Sequence, residues 1–221
     1  MKSPLLGAFV LVASVLSASC ASSKGSALMF SGDGAPEEDL VEAVQRAQGE
    51  IAEAKQDYAT ALNLFQRLTA PQAVELEDLA DDFQDARESC DDRADDLADR
   101  IEKVTKESDE LFSGWSAQLQ QFSGDAMRKK SEAMMVDTQA RSQRVLEALK
   151  SLQERMVPVQ RKLTDYALFF DHNLNPRAIA TLQDTYKEFD SEFDALQSEL
   201  SRAERDVAEF LASFRRPEPA K

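Results

Sequence analysis

Apolar residues in this chain return in steps of four and three almost without interruption from Leu40 to Phe214, and long amphipathic helices are the elements that bury such a period. The first run is Leu40, Val44, Ala47, Ile51, Ala54, Tyr58, Ala61, Phe65 and Leu68. A seam of alternating four and three steps this long marks coiled-coil packing, because each apolar residue stays on the stripe that a neighbouring helix covers. Pro36 followed by Glu37, Glu38 and Asp39 supplies the start: proline suits the first turn, and carboxylates favour the positive end of the helix dipole. Thr69-Ala70-Pro71 supplies the end, since proline disfavours helical geometry in the residue before it.

A second helix is predicted from Gln72 to Phe122, with Leu76, Leu79, Phe83, Ala86, Cys90, Ala94, Leu97, Ile101, Val104, Ser108, Leu111, Trp115 and Leu119 on its seam. Consecutive steps of four about Cys90 and ending at Leu119 imply local unwinding there. Ser123-Gly124-Asp125 reads as a turn. The third helix begins polar and settles into Met135, Thr138, Ser142, Val145, Leu149, Leu152, Met156, Val159, Leu163, Tyr166 and Phe170, with Pro158 releasing the carbonyl of Glu154 and kinking it. The fourth runs unbroken from Pro176 through Ile179, Leu182, Tyr186, Phe189, Phe193, Leu196, Leu200, Ala203, Val207 and Phe210 to Phe214. The expected fold is all-α, an elongated antiparallel four-helix coiled-coil bundle over residues 36–214.

Charge tests the pairing. Between Glu75 and Asp99 stand twelve Asp and Glu residues against Arg87 and Arg93. A fold-back at Gly124 sets Lys150, Arg155, Arg161 and Lys162 opposite this stretch, where surface ion pairs of about 0–1 kcal/mol each select the register more than they stabilise it. The carboxylates of Asp78, Asp81, Asp82, Asp85, Glu88, Asp92, Asp95, Asp96 and Asp99 are also the best candidates for cation binding. A straight helix, however, does not wrap the six to eight oxygens that calcium requires, so they read as a solvated face.

Other chemistry is sparse. His172 is the only histidine, which leaves no metal cluster and no histidine-based triad. Cys90 sits on the seam, where a thiol packs as a small hydrophobe. No catalytic residue, metal or cofactor is implied, and the expectation is a protein that is not an enzyme. The net charge of -15 repels phosphate, so nucleic acid is not an expected partner.

The N-terminus reads as an address. Met1-Lys2, an apolar stretch over residues 5–16 and small residues before Cys20 form an export signal, too short for the roughly 20 residues of a membrane span. The segment resembles bacterial lipoprotein signals, with one departure: Ser17 stands three before the cysteine, where those signals carry an aliphatic residue, and Leu16 comes one earlier. On that reading residues 1–19 are a signal peptide, Cys20 is the lipid attachment site, residues 20–35 form a Ser/Gly-rich tether interrupted by Leu28-Met29-Phe30, and 215–221 are a disordered tail. Two or more acyl chains are what stable anchoring requires. Cleavage near Ala18 or Ala21 instead releases a soluble periplasmic protein. Ala21 after the cysteine, rather than Asp, is similar to the pattern that sorts lipoproteins to the outer membrane.

The most distinctive stretch of the helical region is Phe169-Phe170-Asp171-His172-Asn173-Leu174-Asn175-Pro176-Arg177. Asn175 suits an N-cap and Pro176 a first helical residue, which explains the turn structurally. The functional reading is a partner-binding turn formed by His172, Asn173, Asn175 and Arg177. This stretch, with Leu111-Phe112-Ser113-Gly114-Trp115, Met156-Val157-Pro158-Val159 and Ala178-Ile179, resembles the bacterial lipoproteins of domain-of-unknown-function family 2959. The resemblance implies an acidic helical lipoprotein and supplies no catalytic residues. The function expected is an envelope-anchored structural or protein-interaction scaffold facing the periplasm. Its partners are the membrane through the lipid and envelope proteins, and homo-oligomers are compatible with the pattern. The alternative is a helical binding module for a metal ion or apolar ligand, with Ser108, Thr138 and Ser142 interrupting the seam where a cavity would lie.

Overall fold

The computed structural model describes residues 36–70 and 74–214, apart from the side chains of Pro36 and of residues 183–188. The signal segment, Cys20, the tether, Pro71 and the tail 215–221 lie outside the described residues. Every regular element among the described residues is helical: α1 Pro36–Leu68, α2 Leu76–Leu119, α3 Asp125–Asn173, α4 Pro176–Ala180 and α5 Gln183–Phe214.

The long helices pack in a ring, α1 on α2, α2 on α3, α3 on α5 and α5 on α1. Cross-helix contacts fix their directions. Phe65 and Glu50 of α1 meet Phe83 and Arg93 of α2, while Ser108 and Asp91 of α2 meet Ser142 and Gln160 of α3. Ser151 and Lys162 of α3 meet Glu199 and Glu192 of α5, and Lys55 and Phe65 of α1 meet Glu204 and Phe189 of α5. In each pairing the residue numbers run oppositely, so neighbours are antiparallel. The seam residues of α1 from Leu40 to Leu68 are all buried, as the period requires.

Two features give the core its character. At the end where α1 stops, the ring of Phe65 lies 4.4 Å from Tyr166 and 4.9 Å from Phe189, with Phe83 and Phe170 each at 6.2 Å. Side chains from all four long helices thus form one aromatic plug, in the tilted and edge-on arrangements that ring quadrupoles favour. Toward the other end Ser108 Oγ and Ser142 Oγ are 2.9 Å apart and both residues are buried. Two of the three hydroxyls that interrupt the predicted seams thus satisfy one another.

Three expectations need correction. The fourth helix is not continuous: it divides at Thr181-Leu182 into α4 and α5. The Thr181 hydroxyl donates to the Ala178 carbonyl at 2.6 Å, and the Thr181 and Leu182 amides donate to the Ala178 and Ile179 carbonyls. These three-residue bonds tighten the turn and take acceptors away from the helical ladder. The second helix starts at Leu76 rather than Gln72, because Glu75 adopts φ 56°, the left-handed region, and no helix passes through it. The ladder of ion pairs from α2 to α3 does not form among the described residues. Lys162 pairs with Glu192 of α5 instead, Arg93 and Arg100 of α2 turn to the acids of α1, and Arg87 pairs within α2 with Glu88 and Asp91. Arg93 alone reaches Glu50 at 3.0 Å, Glu53 at 2.8 Å and its own helix's Asp96 at 3.0 Å. Its Nε is 3.2 Å from Asp57, close enough for ion pairing but off the direction of a hydrogen bond.

Candidate functional site

The turn between α3 and α4 is built by its own amides. Asn173 closes α3 by donating its side-chain amide to the Phe169 carbonyl at 3.2 Å. Asn175 caps α4: its Oδ1 accepts from the Ala178 amide at 3.0 Å, and its backbone amide donates to the Asn173 carbonyl at 2.7 Å. Both asparagines are therefore spent on the backbone, as the N-cap chemistry of the sequence implies. Buried Ile179 and Leu182 hold the short α4 against the bundle.

The remaining two residues of the predicted turn are presented outward. His172 is exposed and lies 3.5 Å from Asp171, itself exposed. Arg177 is exposed and has no ion-pair partner among the described residues. The four predicted residues thus fall in one place but divide into two scaffolding amides and two accessible side chains.

One adjoining feature is not visible in the predicted site. A groove of about 480 Å³ runs between α2 and α3 beside the turn, lined by Ala80, Asp81, Gln84, Thr164, Leu168 and Asp171 among others. Leu168 is 58% exposed, a large apolar side chain left bare next to the turn. Its sequence signal is that it stands off the seam defined by Tyr166 and Phe170.

The acidic stretch of α2 spreads along the helix. Glu88 accepts from Gln84 and Arg87, Asp91 from Gln160 and Arg87, and Asp96 from Arg93. Among the described residues no group of three or more His, Cys, Asp or Glu side chains is placed to hold a metal ion. Cys90 is fully buried on the seam, and the Tyr58 hydroxyl donates to its carbonyl at 3.5 Å. Burial pushes its thiol above the ordinary range, with the carboxylates of Asp57 and Asp91 adding to the effect.

The profile of a family described as protein of unknown function (DUF2959) matches residues 34–214. The chain belongs to the DUF2959 family. The family match begins two residues before α1 and ends at the last residue of α5, so it spans the whole helical ring and the turn within it. No curated protein and no solved structure matches the chain. Among the described residues no helix of this DUF2959 member is long and apolar enough to cross a membrane.

Proposed function

We propose that this protein is a lipoprotein, anchored to the cell envelope through Cys20 and facing the periplasm, that works as a structural or protein-interaction scaffold rather than as a catalyst. The observation that carries the interaction role is the turn itself. His172 and Arg177 are exposed on a backbone braced by Asn173 and Asn175, beside a groove in which Leu168 is bare. A braced backbone carrying exposed side chains lowers the ordering cost of recognition.

The anchor adds direction. Cys20 is joined to the ring through the N-terminus of α1, which begins at Pro36. α1 and α3 both terminate at the opposite end, where the turn at Leu174–Leu182 lies. At 1.5 Å per residue the helices between them are on the order of 50 Å long. Ala21 after the cysteine favours the outer membrane as the site of the anchor.

In-cell photo-crosslinking from His172 and Arg177, with Asp95 on α2 as reference, tests the role. Discrete adducts with envelope proteins at the two turn positions, absent at Asp95, are expected. A uniform lack of adducts at the turn would sink the scaffold reading. Loss of lipid-precursor incorporation and of membrane association in Cys20→Ala tests the anchor separately.

A further inference from the structure

The groove beside the turn has a floor and a rim of opposite character. Ala80 of α2 and Thr164 and Ala167 of α3 are half-buried in the floor, and buried Phe170, held by Phe65 and Phe83 of the aromatic plug, closes it. Side chains this short leave a channel between two antiparallel helices, and such a channel admits the side-chain ridge of a third helix. Leu168 stands one turn along α3 from Thr164 and is 58% exposed. A bare leucine alone needs no explanation, but at the rim of a preformed channel it gives an occupant an apolar anchor.

The charge around the channel selects that occupant. Glu75, Glu77, Asp78, Asp81, Asp82 and Asp85 are exposed at the start of α2, and none has an ion-pair partner among the described residues. Asp81 lines the channel from the α2 side and Asp171 from the α3 side. Arg87, a cation in the lining, is already held by Glu88 and Asp91 of its own helix, and His172 lies against Asp171. The field is local. Farther along α2, Arg93 and Arg100 pair with Glu50, Lys103 and Lys106 pair with Glu107, and from Leu111 to Gly124 the chain carries no charged residue. Carboxylates crowded at one end repel one another, a second copy of the same face and an anionic lipid surface alike, whereas a cationic partner relieves the repulsion.

We propose that the channel takes a cationic amphipathic helix of a partner protein, its apolar stripe against Leu168 and the floor and its flanking Lys or Arg side chains against Asp81 and Asp171. The inference rests on the interaction role proposed for this end of the ring and adds to it the chemistry of the partner. The plug fixes the floor, and Asn173 and Asn175 brace the adjoining turn, so the receiving side needs little ordering when the helix arrives.

The probe is a synthetic peptide of about 18 leucine and lysine residues, its leucines in the four-three period of an amphipathic helix. It is titrated into the Cys20→Ala chain and followed by fluorescence anisotropy. Saturable one-to-one binding that weakens with salt is expected, and a peptide of the same composition with its leucines scattered around the helix is expected to bind about ten-fold more weakly. Two variants locate the site. Leu168→Asp adds a negative charge at an exposed position, so attraction by charge alone would leave binding unchanged or raise it; loss of the apolar anchor is expected to lower it about ten-fold. Asp81→Lys is expected to lower binding by a similar factor, while the same change at exposed Asp109, toward the other end of α2, leaves it within about two-fold. Equal binding of the two peptides, binding that Leu168→Asp does not lower, or no saturable binding at all each overturns the inference. So does dimerisation of the chain alone that Leu168→Asp abolishes, which gives the channel to a second copy. Any of these results together with adducts at His172 and Arg177 in cells removes the cationic helix and keeps the scaffold role.

Discussion

Cys90 joins sequence, packing and titration in one residue. Its place on the α2 seam makes it a core residue, the core removes it from water, and desolvation then disfavours the thiolate, helped by Asp57 and Asp91 and opposed by Arg87. The sign follows from linkage. A thiol whose folded pKa lies above the unfolded value of about 8.5 contributes stability that is complete below that pH and is lost as the pH rises past it. Tyr58 behaves in the same direction, raised first by burial and then by Cys90 and Asp91, with its loss setting in above the unfolded value of about 10. The urea midpoint of the Cys20→Ala chain is therefore expected to fall as the pH is raised from about 8 to about 10. Cys90→Ala should flatten the first part of that decline. In the same Cys20→Ala background a thiol reagent should leave folded protein unlabelled at neutral pH and react completely once denaturant is added. Rapid labelling of the folded chain would mean that the seam opens at Cys90.

Between helices, the Ser108–Ser142 hydrogen bond is the sharpest determinant of how α2 registers on α3. Removing one hydroxyl leaves the other buried without its partner, while removing both leaves an apolar layer with a small void. Ser142→Ala and Ser108→Ala are each expected to cost about 1–2 kcal/mol in equilibrium unfolding, and the double variant to cost less than the sum of the two. Strict additivity would show that the hydroxyls do not act as a pair. This layer also shows what sequence does and does not reveal. The seam positions of both serines are legible from the four-three period, and the antiparallel order of α2 and α3 follows from the turn at Gly124. That the hydroxyls meet is not legible, because it depends on a rise of a residue or two along the helices. The break at Thr181-Leu182 escaped for a related reason: the apolar steps from Ile179 through Leu182 continue across it, and the period registers side-chain direction rather than backbone hydrogen bonding. Of the turn, the capping roles of Asn175 and Pro176 are plain in the residues. The groove beside Leu168 is not, because that apolar residue lies off the seam that signals the core.

Across the whole helical ring, burial is uneven along its length, and that gradient makes a prediction about opening. Phe65, Phe83, Tyr166, Phe170 and Phe189 bind α1, α2, α3 and α5 together at one end. At the other end residues 125–141 of α3 have few buried side chains, and the buried run of α3 begins only at Ser142 and Val145. Local opening takes least free energy where few apolar contacts are lost. Amide hydrogen exchange should accordingly be fastest in α3 from Ala126 to Ala140 and slowest around Phe83, Leu152, Met156 and Leu163. The contrast is expected to span several orders of magnitude in protection, since fraying opens at almost no cost and core amides exchange only by global unfolding. Strong protection from Ala126 to Ala140, equal to that around Leu152, would mean that this part of α3 opens only together with the core.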